Sequence, residues 1–307
     1  MKKTIFAILA LAAVAACNKA EVIESNPGET IEFGDAFVDN ATKADYSSTD
    51  VTAFNVYGTV NDVNIYSATS VTKGSAAYGS AWTCGVTQYW IDGAAYKFAA
   101  LVDVPAGNVT CDGNGMPVSF TYTADGQTDI LYDYALATGK AAGQNGVVAF
   151  TFKHLLAKAY FTVTNQTNDT KYTYTVSNVK VTNTYPSGTY TVYTTDDGTG
   201  SWGSYGAATS TAFATIENVA YGTPKKNAEV LLIPGATVGV SFTVTLSIDG
   251  KVVTSFDHAV ANVATLAQNS VYNFDVKLSP NDPIQFTVTA KPTWNTPVSD
   301  NTVTVSK

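Results

Sequence analysis

The chain contains no arginine: all 17 of its basic residues are lysine, set against 25 aspartates and glutamates. The resulting net charge of −8 repels phosphate backbones and anionic headgroups, which argues against nucleic acid as a partner. Histidine is nearly as scarce, and His154 and His258 stand far apart with no Cys, Asp or Glu at a zinc-like spacing. No metal and no cofactor is expected. Beyond the N-terminus, no apolar run approaches the ~20 residues that a membrane-spanning helix needs. Neither a nucleophile motif nor paired carboxylates at a readable spacing occurs, so an enzyme has no support in these residues. No stretch reads as a helix longer than a turn.

Cysteine is limited to three residues, and the first of them is informative. Lys2 and Lys3 precede an apolar run over residues 5–14, which ends in Val14-Ala15-Ala16-Cys17. A charged start, an apolar middle and small residues before a cleavage point describe a secretory signal peptide. A cysteine at the new N-terminus reads as a lipoprotein signal, with Cys17 carrying diacylglycerol and acyl chains such as palmitate; an ordinary signal peptide with an incidental cysteine is the lesser alternative. Cleavage at Cys17 removes Lys2 and Lys3, leaving 15 lysines against 25 acidic residues and a mature charge of −10. Such a protein is anchored at a membrane surface without spanning it. Export permits a disulfide between the two remaining cysteines, Cys84 and Cys111, but two free thiols fit the sequence equally well.

What is abundant points to strands. Thr, Val, Tyr, Ala and Gly dominate, aromatics reach 12% and charged residues only 14%. Residues 18–43 are polar and acidic, as in a tether, apart from an alternating segment over 30–38 that is followed by Asn40-Ala41-Thr42-Lys43-Ala44-Asp45. Strand candidates follow at 51–60, 82–91, 96–102, 118–123 and 130–136, separated by turns such as Asp92-Gly93 and Asp125-Gly126. Gly143-Gln144-Asn145-Gly146 marks a boundary. A second series follows at 147–153, 158–165, 172–181, 188–194, 229–233, 238–248, 251–256 and 271–278. Asp249-Gly250 supplies the clearest type I′ hairpin turn. After Ser279-Pro280-Asn281-Asp282-Pro283, residues 284–290 alternate again, and residues 301–305 form a last candidate strand.

The expectation is an all-β protein in tandem β-sandwiches. It divides into a signal peptide (1–16), a lipidated propeptide (17–43), two domains (44–146 and 147–279) and a C-terminal segment (280–307). Asp112-Gly113-Asn114-Gly115 and Asp196-Asp197-Gly198 lack the ligands of a calcium loop and read as turns. His154 reads as a packed, hydrogen-bonded residue. The four tryptophans and 18 tyrosines read mainly as core and cross-strand partners, with a glycan-stacking platform as the lesser alternative.

The order of these pieces resembles the fimbrillins, subunits of type V pili and related surface lipoproteins. The resemblance rests on the lipobox with its acidic tether and on the Ala41-Thr42-Lys43-Ala44-Asp45 junction. It also rests on Trp82, Tyr89-Trp90 and Tyr96-Lys97-Phe98-Ala99-Ala100-Leu101 with Gln127-Thr128-Asp129-Ile130-Leu131-Tyr132. Phe150-Thr151-Phe152-Lys153-His154-Leu155-Leu156-Ala157-Lys158, and Asn269-Ser270-Val271-Tyr272-Asn273-Phe274 ahead of Trp294, complete the series. It implies two transthyretin-like sandwiches and a lipoprotein precursor in the outer membrane, held by the lipid on Cys17 and later moved to a surface fimbria. It further implies cleavage between Lys43 and Ala44, removal of the strand before it, and insertion of a C-terminal donor strand from an identical or homologous subunit. Ile284, Phe286, Val288, Ala290, Val303 and Val305 would belong to that donor. The family junction commonly carries arginine, so here a lysine-tolerant protease is required, or the subunit stays on the membrane. A stalk role, an adhesive role toward a host glycan or protein, and a non-polymerising surface lipoprotein are the functional alternatives.

Overall fold

The computed structural model describes residues 29–38, 51–74, 82–141, 143–167, 171–195, 198–278, 285–291 and 299–304. Nearly every element is a strand. The first nine are β1 (Phe33–Val38), β2 (Ala53–Val60), β3 (Val63–Lys73), β4 (Trp82–Cys84), β5 (Ala95–Val102), β6 (Val109–Cys111), β7 (Pro117–Thr123), β8 (Leu131–Thr138) and β9 (Val148–His154). There follow β10 (Ala157–Asn165), β11 (Thr173–Thr184), β12 (Ser187–Thr191), β13 (Ser201–Gly203), β14 (Thr209–Ala212), β15 (Lys225–Lys226) and β16 (Val230–Leu232). The chain ends in β17 (Thr237–Ile248), β18 (Lys251–Thr265), β19 (Val271–Leu278), β20 (Gln285–Lys291) and β21 (Ser299–Thr304).

A seven-stranded sheet runs β1-β9-β8-β5-β2-β3-β4. Its central strands are the ones whose apolar residues run almost without interruption: β5 is buried at five consecutive positions, from Phe98 to Val102, because both of its faces are covered. One face holds Val56, Phe54, Tyr66, Tyr96, Phe98, Phe150 and Phe152 in a core that the sheet wraps around itself. Thr30, just ahead of β1, bridges to Tyr89, which follows β4, so the two ends of the sheet meet.

The other face carries Tyr57, Ala99, Leu101 and Tyr132 and packs against a four-stranded sheet ordered β13-β12-β7-β6. That sheet joins the two halves of the chain: β7 pairs with β12 in register from Thr123↔Ser187 to Ser119↔Thr191. The Gly143–Gly146 stretch therefore does not separate two sets of strands. The strand after it, β9, pairs with β8 and with β1 and completes the first sheet.

The C-terminal half is a sandwich of two sheets. In one, β10 and β19 run parallel and are flanked by β15 and β16 on one side and by β20 and β21 on the other. The facing sheet is β14-β11-β17-β18. Alternation sends Ala159, Phe161 and Val163 of β10, Phe274 and Val276 of β19, and Val240, Phe242 and Val244 of β17 into the shared core, and an irregular step between Ser177 and Lys180 lets β11 add both Val176 and Val181. The β17–β18 hairpin turns on Asp249 and Gly250, whose φ angles of 50° and 74° are those of a type I′ turn.

Several elements differ from the sequence expectation: β6, β13, β14 and β15 have no counterpart in it, and two earlier segments depart for visible reasons. Asn61 and Asp62 (φ 47° and 63°) make the same kind of turn without glycine and start β3, a strand with no counterpart among the expected ones. The strand expected over 82–91 is only three residues long, because Gly85 follows it and Tyr89 turns to meet Thr30.

Candidate functional site

The most unusual construction lies at the two ends of the described chain. β1 is an edge strand that runs parallel to β9, with Phe33 opposite Val148, Ala36 opposite Phe150 and Val38 opposite Phe152. Parallel neighbours cannot be joined by a tight turn, so a strand placed this way comes from far away in sequence. Its lead-in is bound on both sides: the Val148 amide donates to the Glu32 carbonyl at 2.8 Å, the Ile31 amide donates to Gln88 O at 2.8 Å, and the Trp90 amide donates to Glu29 O at 3.2 Å. The segment thus stitches β9 to the far end of the sheet.

Phe33 is the plug of this segment. Its ring lies 6.1 Å from Phe54, 5.6 Å from Tyr66, 6.0 Å from Phe98 and 6.1 Å from Phe150, mostly edge to face. Burial of a phenylalanine contributes ~1.5–3 kcal/mol, and favourable ring pairs add to it. Ile31 is buried beside it. Glu29 closes the entrance: its carboxylate accepts from the Gly143 amide at 2.6 Å and from the Asn145 amide and side-chain nitrogen at 3.0 Å each. The Asn145 side chain above all, with the two backbone amides, holds the Glu29 carboxyl below its ordinary value against the opposing effect of desolvation.

At the other end, β20 lies antiparallel on β19, and β21 lies antiparallel on β20. The register sets Phe286 opposite Val276, Val288 opposite Phe274 and Ala290 opposite Tyr272, all three partners being core residues. Val303 pairs with Phe286. Ile284 and Val305 lie outside the described residues, as do Cys17, Lys43 and Ala44.

Other polar groups are tied into the framework. His154 is fully buried on β9, and its Nδ1 sits 2.6 Å from Asp129 Oδ2. Asp133 accepts from the Thr151 amide at 2.6 Å and from the Tyr193 hydroxyl at 3.3 Å, while burial pushes its carboxyl up to about 6. Lys153 covers the Tyr193 ring at 4.9 Å. Lys158, almost wholly buried on β10, pairs with Glu229 at 3.1 Å, and Lys226 joins the same carboxylate. Asp112 Oδ1 accepts from the amides of Asn114 and Met116 at 2.9 Å, which makes its loop a side-chain-capped turn. Among the described residues no three His, Cys, Asp or Glu gather as a metal site, and no helix is long and apolar enough to cross a membrane. Cys84 and Cys111 are free thiols, half-buried and exposed respectively.

Alternation in the sequence marked the segment that holds β1 and the C-terminal strands, without singling out Phe33. It gave no sign of the Glu29 clasp, since Asn145 looked like an ordinary turn residue and Glu29 like part of a tether.

A protein-family model described as "Fimbrillin-like" matches residues 29–294, and one for a prokaryotic membrane lipoprotein lipid attachment site matches residues 1–18. No curated protein matches the sequence. Among solved structures, a fimbrial protein from Bacteroides vulgatus is similar at a TM-score of 0.57 and 14% identity, over 90% of this chain and 99% of that one. A putative cell adhesion protein from Bacteroides uniformis is similar at a TM-score of 0.51 and 19% identity, over 90% and 98%. At these identities the likeness is one of fold.

Proposed function

The chain belongs to the fimbrillin-like family, and on that premise we propose that it is a stalk subunit of a surface fimbria, assembled by strand exchange after proteolysis of a lipoprotein precursor. The match to a lipoprotein lipid attachment site over residues 1–18 supports a precursor held on a membrane; in this reading Cys17 carries the lipid and the membrane is the outer one. The observation that carries the reading is the seat of β1. A segment just ahead of Lys43 occupies a sheet edge through backbone bonds on both sides and plugs an aromatic pocket with one side chain. Cutting between Lys43 and Ala44 would free that segment, and its departure would expose unpaired backbone and an apolar groove, the ingredients of strand addition.

The partner is then an identical or homologous subunit, whose residues 284–290 and 301–305 supply an alternating strand. The role is structural, and any host glycan or protein ligand is secondary to assembly. Retention as a membrane anchor is the competing assignment, favoured by one feature: between Cys17 and Asp50 the basic residues are Lys19 and Lys43, with no arginine for an arginine-specific protease.

N-terminal sequencing of protein sheared from cells as filaments decides the matter. Chains that start at Ala44 support the stalk role, whereas chains carrying only lipid-modified Cys17 would overturn it. Deleting residues 280–307 should abolish polymers and leave folded monomer; polymers of normal length in that deletion would end the donor-strand reading.

A further inference from the structure

The segment at the N-terminal edge and the C-terminal strand share a short text. Ile31-Glu32-Phe33 recurs as Ile284-Gln285-Phe286, and these are the two Ile-x-Phe triplets of the whole chain. The middle residues, Glu and Gln, have nearly the same shape, and Glu32 is exposed where it stands. Ile31 and Phe33 are both 4% exposed, so the repeated residues are the two that fill the groove.

We propose that the groove vacated by β1 receives β20 of a second copy in β1's own register and direction, with Phe286 in the place of Phe33 and Ile284 in the place of Ile31. This rests on the strand-exchange reading above and adds to it a register. The pocket selects for it. Four rings, those of Phe54, Tyr66, Phe98 and Phe150, surround a phenylalanine-sized space, and Phe286 is the one aromatic residue within the alternating donor strand. Apolar side chains at i and i+2 enter in the order isoleucine, then phenylalanine, when the donor runs parallel to β9, as β1 does. A donor running the other way would present its phenylalanine on the wrong side of the isoleucine. A slip of one residue would turn both outward.

The two strands differ at the next position, and the difference gives the register a second signature. Gly34 passes so close to Val147 that a Cβ there would stand 2.5 Å from Val147 Cγ2 and 3.0 Å from Val147 Cβ. The donor has Thr287 at that place. Val147 is 54% exposed, so a rotamer change swings Cγ2 into solvent, and a backbone shift of a few tenths of an ångström at this sheet edge relieves the remaining approach to Cβ.

The test uses full-length precursor expressed on cells, with filaments sheared off and resolved on denaturing gels. Phe286→Ala should lower polymer yield by roughly a hundredfold, as an emptied aromatic pocket implies, whereas Val147→Ala should leave the yield unchanged or raise it. The paired variant Thr287→Cys with Val147→Cys should link neighbouring subunits by a disulfide, giving a ladder that survives boiling and collapses on reduction. Either single variant should give none, which controls for Cys84 and Cys111. Polymers that form normally with Phe286→Ala, or filaments of the double variant with no reducible ladder, would overturn the register. That failure is distinct from failure of strand exchange itself, which persistence of polymers after deletion of residues 280–307 would reveal.

Discussion

The carboxylate of Glu29 holds Asn145 through both its backbone amide and its side-chain amide, each at 3.0 Å, and so clasps the chain entering β1 to the loop between β8 and β9. Because these bonds hold the Glu29 carboxyl below its ordinary 4.5, the clasp adds stability above that value and loses it as pH falls through the lowered one. Glu29→Gln should reduce the melting temperature of the precursor more at pH 7 than at pH 3, because protonation of the native carboxyl weakens the clasp as pH falls. Thermal unfolding by circular dichroism at the two pH values checks this; an equal deficit at both would show that ionisation is not the source.

Phe33→Ala empties a pocket walled by four aromatic rings. The expected loss is ~3–5 kcal/mol, read from urea unfolding of the precursor. A loss under ~1 kcal/mol would mean that the pocket collapses around the gap.

Asp133 works in the opposite sense to Glu29. Burial raises its carboxyl to about 6 from 3.8, so the folded state holds the proton more tightly than the unfolded chain does. The contribution is complete below pH 3.8 and is lost as pH rises through about 6. Asp133→Asn should flatten the stability profile between those values, by at most ~3 kcal/mol. Parallel unfolding series from pH 3 to 7 provide the comparison, and identical slopes would contradict the assignment.

The thiols differ in reach. Burial raises both, but Cys84 lies half-buried in β4 and Cys111 is exposed in β6. Alkylation of the folded chain, followed by mass spectrometry of its peptides, should label Cys111 first and Cys84 only slowly. Equal rates would place β4 outside the sheet for much of the time.

Much of this architecture was legible because strand signals are local. Alternation in β9, β10 and β19 and the Asp249-Gly250 turn are patterns within a few residues, and each marks an element that forms. β3 escaped because Asn61-Asp62 performs a glycine's task with two residues that tolerate positive φ. β18 runs on to Thr265, well past Phe256, because β17 stays beside it through two irregular steps in register. Pairings between distant strands have no local trace. Nothing in Ser119–Thr123 announces Ser187–Thr191 as its neighbour, and the glycines at 143–146 suggested a division that β9 bridges. For the candidate site the division is similar: residue types along β1 and β20 were readable, while the four rings around Phe33 come from β2, β3, β5 and β9 and meet only in the folded chain.

The β7–β12 pairing has a consequence for a protein that is pulled. In a filament built by the strand exchange proposed above, tension would enter one subunit at the groove beside β9 and leave through its C-terminal strand, and the route between crosses from the first sheet to the C-terminal sandwich. The five paired positions from Thr123↔Ser187 to Ser119↔Thr191 join the two parts of the molecule along that route. Force directed along these strands strains all of their hydrogen bonds together, as in a lap joint, whereas force across them would part the bonds one at a time. The angle between the pulling axis and β7 would then set how much load a single subunit bears before it yields.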